Sequence, residues 1–482
     1  MNFKVTFFTC GMIVLILGLA MLIPAVVDYA SGSPNVLAFL FCAAASIFLG
    51  GGLTISSWGK FDRFGIRDGA FLTTMSWLVF ALAGAAPLYF ADINISFTDA
   101  FFESVSGITT TGSTVLVGLD TMSPGILLWR ALLQGIGGMG IIAFAMLLFP
   151  FLNVGGMQLF QAESSDRSDK FVPKARELVL RLIAVYALLC AMCALAFYFL
   201  GMSLLDAVAH AFGCLSTGGF STHDASFAYF KSIPMHLVAT VFMFLGSLPF
   251  VLFVKHMFLG QFTYHRDTQT VWFFGIIAIS TAVIVAWLVA HDVKPIGEAF
   301  VLAVFNVVSV ISTTGYASTD YTVWSPFVTS IFFFLTYVGG CTGSTAGGIK
   351  IMRLIVAFKT LKRQFTRLIF PHVMLTSPHY QGKLLDTNLT INVMAFMFLY
   401  VVLNVVLVLG LLWTGLDIET AFSGAATSIA NVGPGIGKII GPVGNFQPLP
   451  DSAIWLLSLG MLLGRLEILT VLVLFSPHFW RY

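Results

Sequence analysis

The sequence predicts an all-α polytopic membrane protein in which four tandem membrane–pore–membrane repeats surround a pseudo-fourfold pore, preceded by two extra transmembrane helices. Two observations carry this. Of 482 residues, 58% are hydrophobic and 10% charged, with 48 Phe, more apolar surface than a soluble chain of this length can bury. In addition, four short amphipathic stretches lie between long apolar runs and end at a glycine: Thr109-Thr110-Thr111-Gly112-Ser113, Leu215-Ser216-Thr217-Gly218-Gly219, Ser312-Thr313-Thr314-Gly315-Tyr316 and Ala430-Asn431-Val432-Gly433-Pro434. Their separation of roughly 100 residues exceeds the period of soluble solenoids and suits two membrane spans, a hairpin and a loop.

Apolar runs of roughly 20 residues predict crossings near 6–28, 36–57, 70–91, 124–150, 177–201, 234–254, 271–291, 325–349, 389–413 and 452–475. The first run follows Lys4 as a signal peptide would, but its length and the lack of an Ala-x-Ala site favour an uncleaved anchor. The segments are an N-terminal transmembrane hairpin (1–68), pore repeat 1 (69–160), repeat 2 (161–262), repeat 3 (263–370) and repeat 4 (371–482). Alternating the loops puts Lys4, Lys60, Arg63, Arg67, Arg167, Lys170, Lys174, Arg176, Arg181, Lys255, Arg266, the run from Lys350 to Lys383 and Arg481 on one side. Only Lys231, Lys294 and Lys438 fall on the other, so both termini are expected in the cytoplasm. The net charge of +2 then reflects leaflet asymmetry and gives no sign of nucleic-acid binding.

The segment before each glycine is too short to cross a bilayer and carries acids: Asp92, Asp99 and Glu103; Asp206; Asp292 and Glu298; Asp417 and Glu419. A half-helix dipping inward with its partly negative C-terminal end at the pore centre favours a cation there, and acids at the outer mouth concentrate cations further. Carbonyl oxygens from four strands can replace the water shell of a monovalent cation where the backbone lines a cavity. Glycine is the residue that permits such a turn without steric cost. The filter candidates are Thr110, Thr111 and Gly112; Ser216, Thr217 and Gly218; Thr313, Thr314 and Gly315; and Asn431, Val432 and Gly433. Thr313-Thr314-Gly315-Tyr316 comes nearest the potassium-channel pattern Thr-Val-Gly-Tyr-Gly, and the degeneracy of the other three predicts weaker discrimination against sodium.

From Gly339 to Gly348 five of ten residues are glycine and three are Ser or Thr, a composition that breaks a helix in lipid or packs helices closely through small residues. Gly135-Ile136-Gly137-Gly138-Met139-Gly140 matches a dinucleotide fingerprint in letters only; no strand precedes it, and packing glycine is the reading. Arg130, near the outer end of its helix, reads as a snorkelling side chain or one paired with a pore-helix acid such as Glu103. Arg465 sits mid-span, with Glu467 two residues on. The cysteines lie in or beside apolar spans without polar neighbours that would suit a disulfide or a metal. His210 and His223 read as mouth or packing residues near the second glycine.

With its four repeats, its glycines, the Gly339-Gly340-Cys341-Thr342-Gly343-Ser344-Thr345-Ala346-Gly347-Gly348-Ile349-Lys350 segment and Arg465, the whole chain resembles the bacterial Trk/Ktr/HKT superfamily of potassium transporters, and within it the TrkH-type membrane subunit. Asn431-Val432-Gly433-Pro434 departs by lacking the hydroxyl residues of the other repeats. The resemblance implies potassium uptake across the inner membrane by a homodimer, with potassium as transported ion held by filter carbonyls and no cofactor in this chain. It implies a gate built on Gly339, Gly340, Gly343, Gly347 and Gly348, with Arg465 a positive charge just below the filter; a structural ion pair of Arg465 with Glu467 is the other reading. It further implies a cytosolic nucleotide-binding ring of the TrkA type, toward which the basic cytoplasmic residues point, although lipid headgroups would attract them too. A secondary symporter coupling potassium to protons or sodium is the alternative function; a membrane enzyme is disfavoured, since no cluster of His, Asp and Glu sits at mid-span.

Overall fold

The computed structural model describes residues 3–59, 65–147, 171–371, 379–380, 383–385 and 387–481. Lys60, Arg63, Arg167 and Lys170, on which part of the orientation rests, lie outside the described residues, as does the expected boundary between the first two repeats at 160/161.

The chain begins with a hairpin: an apolar span over Phe3–Ser31 and a return over Val36–Ser56. Small residues let the two approach, for a Cβ on Gly11 would lie 2.9 Å from the Gly50 carbonyl oxygen. Four repeats follow, each a long first helix, a short pore helix and a second helix that packs on the pore helices. The first helices are Ile66–Phe90, Phe171–Phe199, Thr268–Ala290 and Thr387–Trp413. The pore helices are Phe97–Ile108, Leu204–Ser216, Ile296–Ile311 and Ile418–Ala430. At 1.5 Å per residue the 13-residue members reach about 20 Å, short of the roughly 30 Å hydrocarbon core.

Their starts are written in the sequence. Ser96 accepts from Asp99 N at 3.1 Å, Ser203 from Asp206 N at 3.1 Å and Asp417 from Thr420 N at 3.0 Å. These side chains take up amide groups that an N-terminus leaves unpaired. Asp99, Asp206 and Asp417, expected as free charges at the mouth, are thus engaged in capping, and Glu298 is paired with Lys294.

The second helices differ from one another. In repeat 1 Pro124–Leu147 is continuous, and its Gly137 and Gly138 bring it against Ile108 and Ser216 of two pore helices, which is the packing role expected of that glycine run. In repeat 2 the helix Ile233–Gly246 turns by 91° into Phe250–Leu259, and in repeat 4 Asp451–Arg465 turns by 111° into Ile468–Phe475. In repeat 3 Pro326–Val338 ends at Gly339, and the chain becomes helical again only at Ile351. Ten full crossings were expected, with a break foreseen only at the glycines of the eighth; among the described residues seven helices are long and apolar enough to cross unbroken. Hydropathy sees a run of apolar residues and not whether its backbone bends. Pro249 lacks an N–H and closes the break in repeat 2, while Glu467 takes a left-handed φ of 61° at the break in repeat 4. Two short strands, His379–Tyr380 and Lys383–Leu384, pair antiparallel in the connection before the last repeat.

Candidate functional site

All four pore helices end the same way. The second residue after the helix end, or the first in repeats 2 and 4, adopts a left-handed φ: 53° at Thr110, 52° at Thr217, 60° at Thr313 and 57° at Asn431. The next amide then reaches back into the helix, Thr111 N to Ser106 O at 2.8 Å, Gly218 N to Gly213 O at 2.9 Å, Thr314 N to Ser309 O at 2.9 Å and Val432 N to Thr427 O at 3.0 Å. This is the Schellman arrangement, usually built on glycine. With Thr or Asn in the left-handed position it costs about 1–3 kcal/mol per site, a strain that collects at functional loops.

One residue further on, φ is again positive, at 90° for Gly112, 74° for Gly219, 81° for Gly315 and 105° for Gly433. The second repeat is therefore in register through Gly219, not through Gly218 as the sequence suggested; Gly218 holds the place of Thr111, Thr314 and Val432. The four glycines close a ring. A Cβ on Gly112 would run into Gly218 O, on Gly219 into Thr314 O, on Gly315 into Val432 O, and on Gly433 into Thr111 O. Each loop thus packs against a carbonyl of the next, from repeat 1 through repeat 4 and back, and no side chain fits at any of the four positions.

Polar side chains brace the ring from behind. Gln134 donates to Gly218 O at 2.6 Å and accepts from Phe220 N at 3.1 Å. Arg130 donates to Glu103 at 2.7 Å, to Ser221 O at 2.8 Å and to Thr114 Oγ1 at 3.2 Å, while Glu103 also accepts from Val115 N. The buried Arg130–Glu103 pair ties the exits of loops 1 and 2 together, so the paired reading of Arg130 holds. Thr111 shares a 2.7 Å hydroxyl contact with Thr109, and Thr314 shares one with Ser312. In repeat 4 Asn431 substitutes for the missing hydroxyls by donating to Thr111 Oγ1 and to Met461 O, each at 2.9 Å. Tyr316 donates across to Phe220 O at 3.0 Å.

On one side of the ring lies a cavity of about 290 Å³ whose lining includes Gly112, Gly219, Gly315, Gly433, Arg130 and His223. His223 lies 2.5 Å from Asp120 and 3.5 Å from Asp206 and stacks on Tyr229. Burial alone would lower its pKa, but the two carboxylates outweigh it and hold the imidazole above its usual value. His210 is buried, with Nδ1 2.8 Å from Asp206 O and Nε2 3.0 Å from Ser221 Oγ; it is a packing residue.

On the other side lies the glycine-rich loop. Gly339, Gly343 and Gly348 have φ of 73°, 81° and 73°, and a Cβ on Gly339 would lie 2.9 Å from Gly348 Cα, so the loop has a closed neck. Gly347 N donates to Thr313 Oγ1 at 2.7 Å, Gly348 N to Ala430 O at 2.9 Å, and Thr345 Oγ1 lies 2.9 Å from Leu215 O. The loop is thus bonded to the C-terminal ends of the pore helices of repeats 2 and 4 and to Thr313 of the third glycine loop. Gly340 packs against Ala346. Arg465 donates from Nη1 to Thr345 O at 2.8 Å, while its Nε and Nη2 are buried without a partner. Glu467 pairs with Arg353, not with Arg465.

A family model described as TrkH, cation transport protein, matches residues 36–482. The chain belongs to the TrkH family. The Trk system potassium uptake protein TrkI of Halomonas elongata is 43% identical over 97% of this chain and 95% of its own length. The Trk system potassium uptake protein TrkH of Escherichia coli K12 is 34% identical over the full length of both. The crystal structure of the potassium transporter TrkH from Vibrio parahaemolyticus superposes with a TM-score of 0.92 at 34% identity, covering all of both chains.

Within this TrkH-family chain, the residues singled out from sequence fall into two groups that touch: the glycine loops above, and the Gly339–Gly348 segment with Arg465 below. Sequence reasoning missed Gln134, the pairing of Glu467 with Arg353 and the role of Gly219. Gln134 was findable, as it stands one turn after Arg130 on the same face of an otherwise apolar helix. Gly219 was signalled by the doubled glycine. Glu467 and Arg353 stand 114 residues apart in sequence, and no local pattern joins them.

Proposed function

We propose that this chain conducts potassium ions inward across a bacterial inner membrane through the ring of glycine loops, with the Gly339–Gly348 loop as its gate. Potassium uptake, and a transport rather than an enzymatic role, follow from the TrkH family and the names of its relatives. The observation that carries the filter reading is the closed ring, in which Gly112, Gly219, Gly315 and Gly433 each abut a carbonyl of the next loop. Such a ring offers several inward-turned oxygens to a cation that has shed its water, and the C-terminal ends of four pore helices add their partial negative charge. Backbone carbonyls of Thr110, Thr111, Thr313, Thr314, Asn431, Val432 and their partners in repeat 2 are the proposed ligands. Only the third loop approaches a potassium-channel pattern, so discrimination against sodium is modest.

In this reading the loop blocks the path below the ring, and the unpaired charge of Arg465 raises the barrier there. The chain works as a homodimer with both termini in the cytoplasm, and a nucleotide-binding ring docks on the cytoplasmic face and controls the loop. Potassium flux into liposomes, with and without an imposed proton or sodium gradient, tests the mechanism. A pore gives flux that follows the potassium gradient alone. Flux driven uphill by a proton or sodium gradient would replace it with a symporter.

A further inference from the structure

The glycine-rich loop of repeat 3 is gripped from both flanks, each time at the bend of a broken second helix. On the repeat 2 flank the grip is largely backbone. Gly246 O accepts from Thr345 N at 3.3 Å and lies 2.9 Å from Thr345 Oγ1, Ser247 O accepts from Cys341 N at 3.0 Å, and Phe250 N donates to Gly343 O at 3.0 Å. The bend exposes carbonyls that a continuous helix would have used internally, and the loop takes them up. On the repeat 4 flank the grip is made by side chains: Arg465 to Thr345 O, and Glu467 to Arg353. Backbone bonds are renewed wherever the chain goes, whereas a single ion pair can be made or broken as a unit.

Glu467 is built for such a role. Its φ of 61° is a conformation that costs a residue with a side chain about 1–3 kcal/mol and persists only where its surroundings impose it. That backbone turn points the carboxylate away from Arg465 and toward Arg353, which lies in the first turn of the helix Ile351–Ile369 leading out of the loop. The Arg353 guanidinium is sandwiched against the Phe396 ring, 3.7 Å from its centroid, and only 3% of the side chain is exposed. A cation so desolvated depends on its counter-ion: removing one partner of a buried pair leaves an unpaired charge that must find water. For Arg353 water lies along its own helix, and the neck of the loop, Gly348, is five residues upstream.

We infer that the Glu467–Arg353 pair is a latch, with Glu467 the positioning residue that holds the first turn of the exit helix, and through it the Gly339–Gly348 loop, in the blocking position. This rests on reading that loop as the gate. Neutralising the latch frees Arg353 to swing to the cytoplasmic side, draws the helix with it and pulls Gly347 and Gly348 away from Thr313 and Ala430. Arg465 alone does not substitute for it, since its bond to Thr345 O carries no opposite charge.

The test uses the full chain in liposomes, following potassium influx and the labelling of Cys341, buried within the loop, by a membrane-impermeant maleimide, with the labelled cysteine identified by mass spectrometry. Glu467→Gln is expected to raise influx on the order of tenfold, within the usual range of coupling between two sites, and to speed Cys341 labelling. The double variant Glu467→Gln with Arg353→Leu, which leaves no stranded charge, is expected to do the same, and the exchange Glu467→Arg with Arg353→Glu to return both toward the parent. A chain with the loop shortened between Gly339 and Gly348 serves as reference. If that chain gains flux while the Glu467 variants insert, keep the parental influx and leave Cys341 protected, the latch is wrong and the gate stands. If the shortened chain keeps the parental flux, the gate reading fails and takes the latch with it.

Discussion

Replacing Gly219 by alanine separates the structural register from the one the sequence suggests. The φ of 74° at Gly219 costs an L-residue about 1–2 kcal/mol, and the added methyl would point at the Thr314 carbonyl oxygen of the next loop. Either that carbonyl withdraws or the second loop rotates, and both displace an oxygen of the ring. At 1.4 kcal/mol per factor of ten, strain of this size predicts that potassium-over-sodium discrimination falls by about 5- to 30-fold. Gly315→Ser should behave alike, because at φ 81° its side chain would meet Val432 O and lie 2.7 Å from Pro434 Cδ. Gly218→Ala is the contrast. Gly218 is not among the left-handed glycines, and a Cβ there would press at 2.5 Å on Cδ of Gln134, a side chain that can yield by giving up its bonds to Gly218 O and Phe220 N without moving a ring carbonyl directly, so a smaller loss is expected. Competition of sodium against rubidium influx in liposomes measures the ratio. Parental discrimination in Gly219→Ala, together with its loss in Gly218→Ala, both variants being folded and inserted, would refute the register.

Arg465→Ala should raise cation flux, because it removes a buried charge whose Nε and Nη2 have no partner from the proposed path; unchanged flux with a lower melting temperature would mean that Arg465 only holds Thr345 O. Shortening the loop between Gly339 and Gly348 should change open probability in single-channel recordings more than the ion ratio, and the reverse pattern would make it part of the filter. The elevated pKa of His223 means that the folded state binds its proton more tightly than the unfolded state does. Its bridge to Asp120 and Asp206 therefore stabilises fully below the unfolded value of about 6.5 and is lost as pH rises through the higher folded value. Melting temperatures of the parent and His223→Gln should accordingly converge as pH rises above the unfolded value of about 6.5, and a constant gap would count against the bridge. Purified chain without a cytosolic partner should give the same flux with or without ATP, ADP or NADH, and a clear response would locate nucleotide control here.

What could be read in the sequence follows from how local each signal is. The straight spans are runs of apolar residues, and the pore helices are runs too short to cross that end before a glycine, three of them beginning with Ser-x-x-Asp or Asp-x-x-Thr and that of repeat 3 with Pro295. The break after Val338 is announced by five glycines in ten residues. The breaks near Pro249 and Glu467 are not: one proline in an apolar run is tolerated in many membrane helices, and the lone glycine near Glu467, Gly464, reads as readily as a packing residue. The partner that Glu467 meets from its left-handed turn stands more than a hundred residues away in sequence. The acids before each glycine were visible, but the capping serines at Ser96 and Ser203 explain Asp99 and Asp206 better than attraction of ions does. A doubled glycine at Gly218-Gly219 is ambiguous by one residue until the helix end fixes which amide reaches back to Gly213.

The two halves of the site obey different symmetries, and packing gives the reason. A ring of carbonyls around an axis needs every repeat to contribute alike, and the four loops do, down to the same pair of positive-φ residues. A plug on that axis has room for one chain segment only, so it must come from a single repeat, and repeat 3 supplies it. Its neighbours cannot then be copies of it, because each must present an anchor toward the loop. Repeats 2 and 4 do so by breaking their second helices at 91° and 111°, whereas repeat 1, whose second helix runs straight to Leu147, packs its glycines on the pore helices instead. Straightening either bend should therefore loosen the loop without disturbing the ring. In repeat 2, Pro249→Ala would restore the missing N–H and let the helix compete for the Gly246 and Ser247 carbonyls that the loop now uses. On this argument Pro249→Ala raises potassium flux and Cys341 labelling while the potassium-to-sodium ratio holds at the parental value, and a changed ratio with a protected Cys341 would show that the bend supports the ring and not the loop.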